Sequence, residues 1–384
     1  MAESDCFELG NFALESGAIL PETRLAYRTW GRLNERRDNA VVVFHSLTGD
    51  ADVTTWWSGL FGPGKAVDPE QHYVICANLL GSCYGSTGPT SINPATGKPW
   101  QANFPDVTVR DNVRAQRQLC AHLGVDRVDM VIGGSLGGML ALQWAAWDPS
   151  VRRVVAVATS AAHSAWCIAW SESQRQAIYA DPAWEDGFYA PDRPPAAGLA
   201  AARMMAMLSY RNSDSFQQRF GREPAAAVAV TPQVQASDQT GPRPSYSVQS
   251  YLHHQGRKLV QRFDANSYVC LTHMANSHDL GLEKLSSDPD RFARPSESGK
   301  KRSGLEQPVL LVGIPSDILF PLADIEALAA HLTNAEVATL PSPHGHDGFL
   351  LDADRLDVLI RDWSERLDAP ANPRHHALKT CIST

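Results

Sequence analysis

Several features are missing from this 384-residue chain. It contains no run of about eighteen apolar residues, so no membrane-spanning helix is expected. No strand-like run is followed by a Walker loop or a GxGxxG turn, and no internal repeat appears. The seven cysteines are an odd number and lack CxxC spacing, so neither a disulfide framework nor a metal site is expected. A reduced, cytoplasmic setting fits that usage. The opening residues, MAESDCFELG, lack a basic n-region and an apolar h-region, so no secretory signal is expected. Basic charge is also short: 34 Lys and Arg face 42 Asp and Glu, a net charge of -8, which argues against a nucleic-acid partner.

Apolar residues make up 43% of the chain, enough for a large core plus an insertion, or for two domains. The most informative stretch is residues 128–138, VDMVIGGSLGG. An apolar run suited to a buried strand breaks into Gly133-Gly134-Ser135-Leu136-Gly137-Gly138, and a helical apolar pattern follows. Strand, Gly-x-Ser-x-Gly, helix is the signature of a nucleophile elbow, with the serine Oγ exposed at the tip. Cβ atoms at Gly133 and Gly137 would collide with the neighbouring strand and helix.

Residues 6–34 read as two or three antiparallel strands, and 39–46 and 71–80 as buried strands. A glycine-rich loop, 81–100, follows; its length and its aromatic residues predict an ordered segment near the site. A helix is expected over 107–123 and another strand over 152–161. Buried strands with helical connections predict an α/β fold: a mostly parallel central sheet with helices on both faces. From residue 163 to about 301 the pattern turns helical (166–179, 198–210, 248–263), with polar Pro-rich stretches at 190–197 and 231–245. This is expected to be a helical lid inserted into a core formed by 1–162 and 302–370. Strands at 308–317 and 335–341 and helices at 322–332 and 352–367 complete that core, and a polar tail covers 371–384.

A serine at an elbow needs a base and a group to orient it. In α/β hydrolases the chain order is Ser, acid, His. Asp317 lies just past a predicted strand, and His346 lies in the loop after the last strand, so the order fits. Asp317 could instead be a turn aspartate before Pro321, and His344 competes with His346; Gly345 and Gly348 favour the latter. Backbone N–H groups of Leu136 and Leu47 are the expected oxyanion hole, and His45 is read as a packing or hydrogen-bonding residue rather than a second base.

Longer stretches carry a wider resemblance: HSLTGDADV (45–53), NLLGSCYGSTGPTSINPATGKPW (78–100), GGSLGGM (133–139), ARMMAMLSYR (202–211), SVQSYLHHQGRKLVQRFDANSYVCLTHMANSHD (247–279) and HGHDGFL (344–350). In these the chain resembles the homoserine O-acyltransferases of methionine biosynthesis, a branch of the α/β-hydrolase superfamily. The resemblance implies Ser135, Asp317 and His346 as a triad, and Arg203, Tyr210 and Asp347 as contacts of the amino-acid substrate. It also implies that the insertion acts as a lid and a homodimer contact. Acetyl-CoA would be a co-substrate and L-homoserine the acceptor, with no resident cofactor. Three positions depart from the family: Ser46 and Gly348 where alanine is usual, and Leu136 where methionine is usual. The same triad would also serve an esterase or thioesterase. It would equally serve transfer from succinyl-CoA, or transfer to serine or deacetylcephalosporin C.

Overall fold

The computed structural model describes residues 4–225, 245–281 and 305–369. The expected polar tail (371–384), nearly all of the Pro-rich stretch 231–245 and the last part of the predicted insertion lie outside the described residues.

Ten strands are present among the described residues: β1 (Asp5–Ala13), β2 (Ile19–Trp30), β3 (Ala40–Phe44), β4 (Tyr73–Ala77), β5 (Ile92–Asn93), β6 (Lys98–Pro99), β7 (Val128–Gly134), β8 (Arg153–Val157), β9 (Val309–Gly313) and β10 (Ala335–Thr339). Eight form one sheet in the order β1-β2-β4-β3-β7-β8-β9-β10, while β5 and β6 pair separately inside the glycine-rich loop. The pairs β1/β2 and β2/β4 are antiparallel and the remaining pairs of the large sheet are parallel. The expected opening strands are thus two, β1 and β2.

Strand residues alternate between two apolar layers, as the two-residue period of a strand requires. Val154 and Ala156 of β8 join the layer that contains Leu140 and Leu119, whereas Val155 and Val157 join the layer with Trp57, Phe349 and Trp363. Every residue of β3, β7, β8 and β9 is buried. Strands covered on both faces need continuous apolar runs, and these runs made them legible.

The helices are α1 (Val53–Trp56), α2 (Val109–His122), α3 (Leu136–Trp147), α4 (Ala165–Tyr179), α5 (Ala196–Tyr210), α6 (Ser213–Phe220), α7 (Ser247–Val260), α8 (Ala265–Ser277), α9 (Leu322–Ala330), α10 (Gly348–Leu351) and α11 (Ala353–Asp368). A capping box of Thr108 and Asp111 starts α2, and the Asp264 carboxylate accepts the Ser267 N–H at 2.8 Å to start α8. The helical stretch expected over 248–263 is α7, which stops at Val260, and a further helix that was not expected, α8, begins behind its Asp264 cap. Between β8 and β9 the described chain is helical, with α4 packed on α5 and α8, and α5 on α7.

Candidate active site

The elbow is built as the glycines require. Ser135 joins β7 directly to α3 with φ +58° and ψ -124°, a left-handed conformation that is costly for a residue with a Cβ. Its N–H donates to the Val157 carbonyl at 2.9 Å, and the Thr159 hydroxyl donates to its carbonyl at 2.8 Å. A Cβ on Gly133 would lie 2.3 Å from the Gly137 backbone, and one on Gly137 would lie 2.3 Å from the Phe44 carbonyl oxygen. Helix α3 can approach the sheet this closely only because both are glycine.

His346 and Asp317 stand as a buried pair, with Nδ1 of the imidazole donating to Oδ2 of the carboxylate at 2.8 Å. The other carboxylate oxygen accepts the N–H groups of Leu319 and Phe320 at 2.8 and 3.0 Å, which fixes the carboxylate plane. With Nδ1 donating, Nε2 is left as the basic nitrogen. The rings of Tyr210, Phe320 and Phe349 pack 5.6, 5.3 and 5.5 Å from the imidazole. His344, the competing histidine, makes no bond to Asp317; its N–H donates to the Ser342 hydroxyl at 3.1 Å. Gly345 has φ +65°, and a Cβ there would meet the Arg211 backbone at 2.8 Å, so this turn accepts only glycine. At Gly348, a Cβ would come within 2.5 Å of the Ser342 hydroxyl.

Ser135, His346, Leu47, Arg203, Tyr210 and Asp347 line one pocket of about 360 Å³. Asp317 stands behind His346, and Leu136 lines a smaller chamber that also reaches Ser135. All eight residues singled out from the sequence therefore converge on one place. Arg203 lies over the Tyr210 ring at 5.5 Å. Burial pushes the Asp347 carboxyl above its usual range, against the pull of Arg203, His346 and Arg211, the last 3.8 Å away. A partly buried carboxylate whose charged form burial disfavours gains from an added cation. His45 is fully buried and accepts the Leu79 N–H at Nε2 (3.2 Å), so its Nδ1–H donates to the Ser46 carbonyl at 2.9 Å. Both of its nitrogens are committed to the backbone, and burial lowers its pKa.

Three groups around the pocket escaped the sequence reading. Lys258 of α7 and Arg262, two residues past its end, line the pocket. Arg262 donates to the Thr48 carbonyl at 2.7 Å and to the Tyr84 hydroxyl, which ties the glycine-rich loop to the pocket rim. Arg211 follows Tyr210 and pairs with Asp347. A helical Lys or Arg is usually solvated, so nothing in its spacing marks it as facing a pocket. Among the described residues no group of three or more His, Cys, Asp or Glu could hold a metal ion, and no helix is long and apolar enough to cross a membrane.

Sheet, elbow and buried Asp–His pair together define an α/β hydrolase, and residues 39–353 match the family description "alpha/beta hydrolase fold". Among curated relatives, a homoserine O-acetyltransferase of Nostoc punctiforme is 47% identical over 355 residues, 92% of this chain and 94% of that one. Another, of Chlorobium chlorochromatii, is 46% identical over 358 residues, 93% of this chain and 94% of its own. Within the α/β hydrolases, the chain belongs to the homoserine O-acetyltransferase family. Among solved structures, a homoserine O-acetyltransferase from Bacillus anthracis superposes with a TM-score of 0.79 at 26% identity, covering 94% of this chain and 96% of that one. Esterase E22 superposes equally well, with a TM-score of 0.80 at 26% identity, covering 94% and 100%.

Proposed function

We propose that this protein moves an acetyl group from acetyl-CoA to the hydroxyl of L-homoserine, through an acetyl ester on Ser135. The observation that carries the reading is the company Ser135 keeps. One pocket holds the serine, the histidine paired with Asp317, and opposite charges suited to a zwitterion.

In the first half-reaction His346 Nε2 takes the Ser135 proton as Oγ attacks the thioester carbonyl. The N–H groups of Leu136 and Leu47 receive the oxyanion, and Leu136 stands at the N-terminus of α3, where the helix dipole assists. The protonated imidazole then returns the proton to the departing CoA thiolate. In the second half-reaction His346 takes the proton of the acceptor hydroxyl as it attacks the acetyl ester, and the imidazolium returns that proton to Ser135 Oγ as the ester bond breaks. Arg203 binds the α-carboxylate. Asp347 accepts the α-ammonium, and this added cation relieves its buried charge. Water competes for the ester, and the helices α4–α8 over the elbow act as the lid that excludes it. No resident cofactor enters this chemistry.

The reaction belongs in the cytoplasm, where acyl-CoA is made, and the working form is a homodimer joined through the insertion helices. Their outer faces carry the exposed Trp166, Ile168 and Leu208. The likeness to esterase E22 favours one alternative, ester hydrolysis by the same triad. Mixing enzyme with acetyl-CoA alone separates the two. Transfer predicts one acetyl group on the peptide containing Ser135, a single burst of CoA, and parallel double-reciprocal lines once homoserine is added. Fast, steady CoA release without acceptor would establish the esterase instead, and intersecting lines with no adduct would remove the acyl-enzyme.

A further inference from the structure

Ser135 borders two spaces. Beyond the main pocket lies a smaller chamber of about 40 Å³, entered past Ser135 and Leu136 and walled by Cys167, Trp170 and Gln174 of α4 and Thr272 of α8. None of its lining residues is Lys, Arg, Asp or Glu.

A cation lies nearby but is turned away. Arg175 of α4 gives its Nε and one terminal nitrogen to a single Glu172 oxygen, at 3.2 and 2.7 Å. Both its terminal nitrogens also reach the side-chain amide of Asn276, at 3.2 Å. A guanidinium can only donate, so Asn276 presents its oxygen to Arg175 and its NH₂ to Nδ1 of His163, at 2.8 Å. His163 lines the chamber, accepts at Nδ1 and so carries its proton on Nε2; it is neutral, because burial lowers its pKa. Two of the remaining polar walls are committed, whereas the Trp170 indole N–H has no partner among the described residues. The Thr272 hydroxyl donates to the Val269 carbonyl at 2.9 Å, and the Gln174 amide oxygen accepts from the Tyr268 hydroxyl at 2.6 Å. The chamber is small, neutral and adjacent to the nucleophile.

We propose that this chamber is the acyl subsite, that it admits a two-carbon acyl group and refuses longer or charged ones, and that Cys167 and Trp170 set its depth. The proposal rests on Ser135 being the acylated residue. A water-sized group needs roughly 10–15 Å³ of such space, so the chamber holds about three. An acetyl group has three heavy atoms. A succinyl group adds four, ending in a carboxylate that would be buried here with no cation to meet it.

The test is single-turnover acylation of Ser135 by acetyl-, propionyl-, butyryl- and succinyl-CoA, followed by mass spectrometry. One methylene too many in an apolar pocket costs about 10- to 200-fold. Wild-type enzyme should therefore lose about 10-fold with propionyl-CoA, and at least about 100-fold with butyryl- and succinyl-CoA. Trp170→Ala should raise the butyryl-to-acetyl ratio by at least about 10-fold. Cys167→Met, which fills the chamber, should slow acetylation and lower the propionyl-to-acetyl ratio further. A merely structural role for these residues would slow all donors alike and leave the ratios unmoved. If wild-type enzyme acylates with butyryl- or succinyl-CoA within a few-fold of acetyl-CoA, or if neither variant shifts the ratios, the subsite assignment is overturned and the nucleophile stands. If acetyl-CoA leaves no adduct on Ser135, both fall together.

Discussion

The parallel strands carry a cleft at each end, and the larger one is the quieter. At the N-terminal ends of β3, β4, β7 and β8, a cleft of about 500 Å³ is lined by Arg36, Arg127, Arg152, Arg153, Asp129 and Asp368, among others. Its charges are mostly matched. Asp129 takes Arg152 at 2.8 Å and Arg153 at 3.3 Å, Arg153 also reaches Asp368 at 3.1 Å, and Arg36 meets Asp38 at 3.2 Å. At the opposite end the 360 Å³ pocket holds Ser135 and His346, and there, among the described residues, Arg203 and Lys258 have no carboxylate partner. Arg203 lies over the Tyr210 ring and feels the Asp347 carboxyl without pairing with it. Volume does not mark the candidate site; Ser135 beside the buried Asp317–His346 pair does.

The sharpest test of that contrast is Ser135→Ala. It should lower kcat for acetyl transfer by about 10⁴- to 10⁶-fold, and His346→Ala should add little on top, because the triad works as a unit. Rate measurements on the single and double variants check this, and an additive double variant would separate the two roles. Arg203→Ala comes next. Removing one partner of a desolvated charge contact costs about 2–5 kcal/mol, roughly 30- to several thousand-fold in kcat/KM for homoserine. Acylation of Ser135 by acetyl-CoA should stay within a few-fold of wild type, so equal losses in both half-reactions would make Arg203 structural.

At the far cleft the expected effects reverse. Asp129→Ala should cost about 2–3 kcal/mol in denaturant unfolding, below the roughly 3–5 kcal/mol of a fully buried pair because Arg152 is half exposed. The activity per folded molecule should not change. A selective loss of kcat/KM would show that the two ends are coupled. The smallest effect at neutral pH is expected at His278, which is buried with no partner for Nε2 and whose pKa burial pushes down to about 3. The unfolded chain protonates this residue near pH 6.5 and the folded one does not, so stability declines as pH falls from about 6.5 towards 3. His278→Met should flatten the acid side of a melting-temperature profile and leave the neutral side nearly unchanged.

The sheet was readable because its strands are short apolar runs bounded by turn residues, and the site because an elbow demands glycines at fixed offsets. Asp317 and His346 followed from chain order, and Arg203, Tyr210 and Asp347 from resemblance. What escaped reading depends on three-dimensional direction. Helices α6 and α8 escaped the sequence because Asn212 and Asp264 read equally well as turn residues; only their bonds to the Ser215 and Ser267 N–H groups identify them as caps. His163 gave no signal, since its meaning comes from Asn276, more than a hundred residues later. Lys258 and Arg262 look like the solvated end of any amphipathic helix.

The order of the strands also bears on how the protein comes into being. In the sheet Val154 lies beside Val309, with residues 155–308 between them in the chain. Closing so long a loop delays folding, and until β9 arrives the apolar β8 presents an open edge to other chains. A nascent chain therefore carries Ser135 long before it carries Asp317 and His346. On the proposed mechanism the serine would be made without its partners and would react only once the last strands close the sheet.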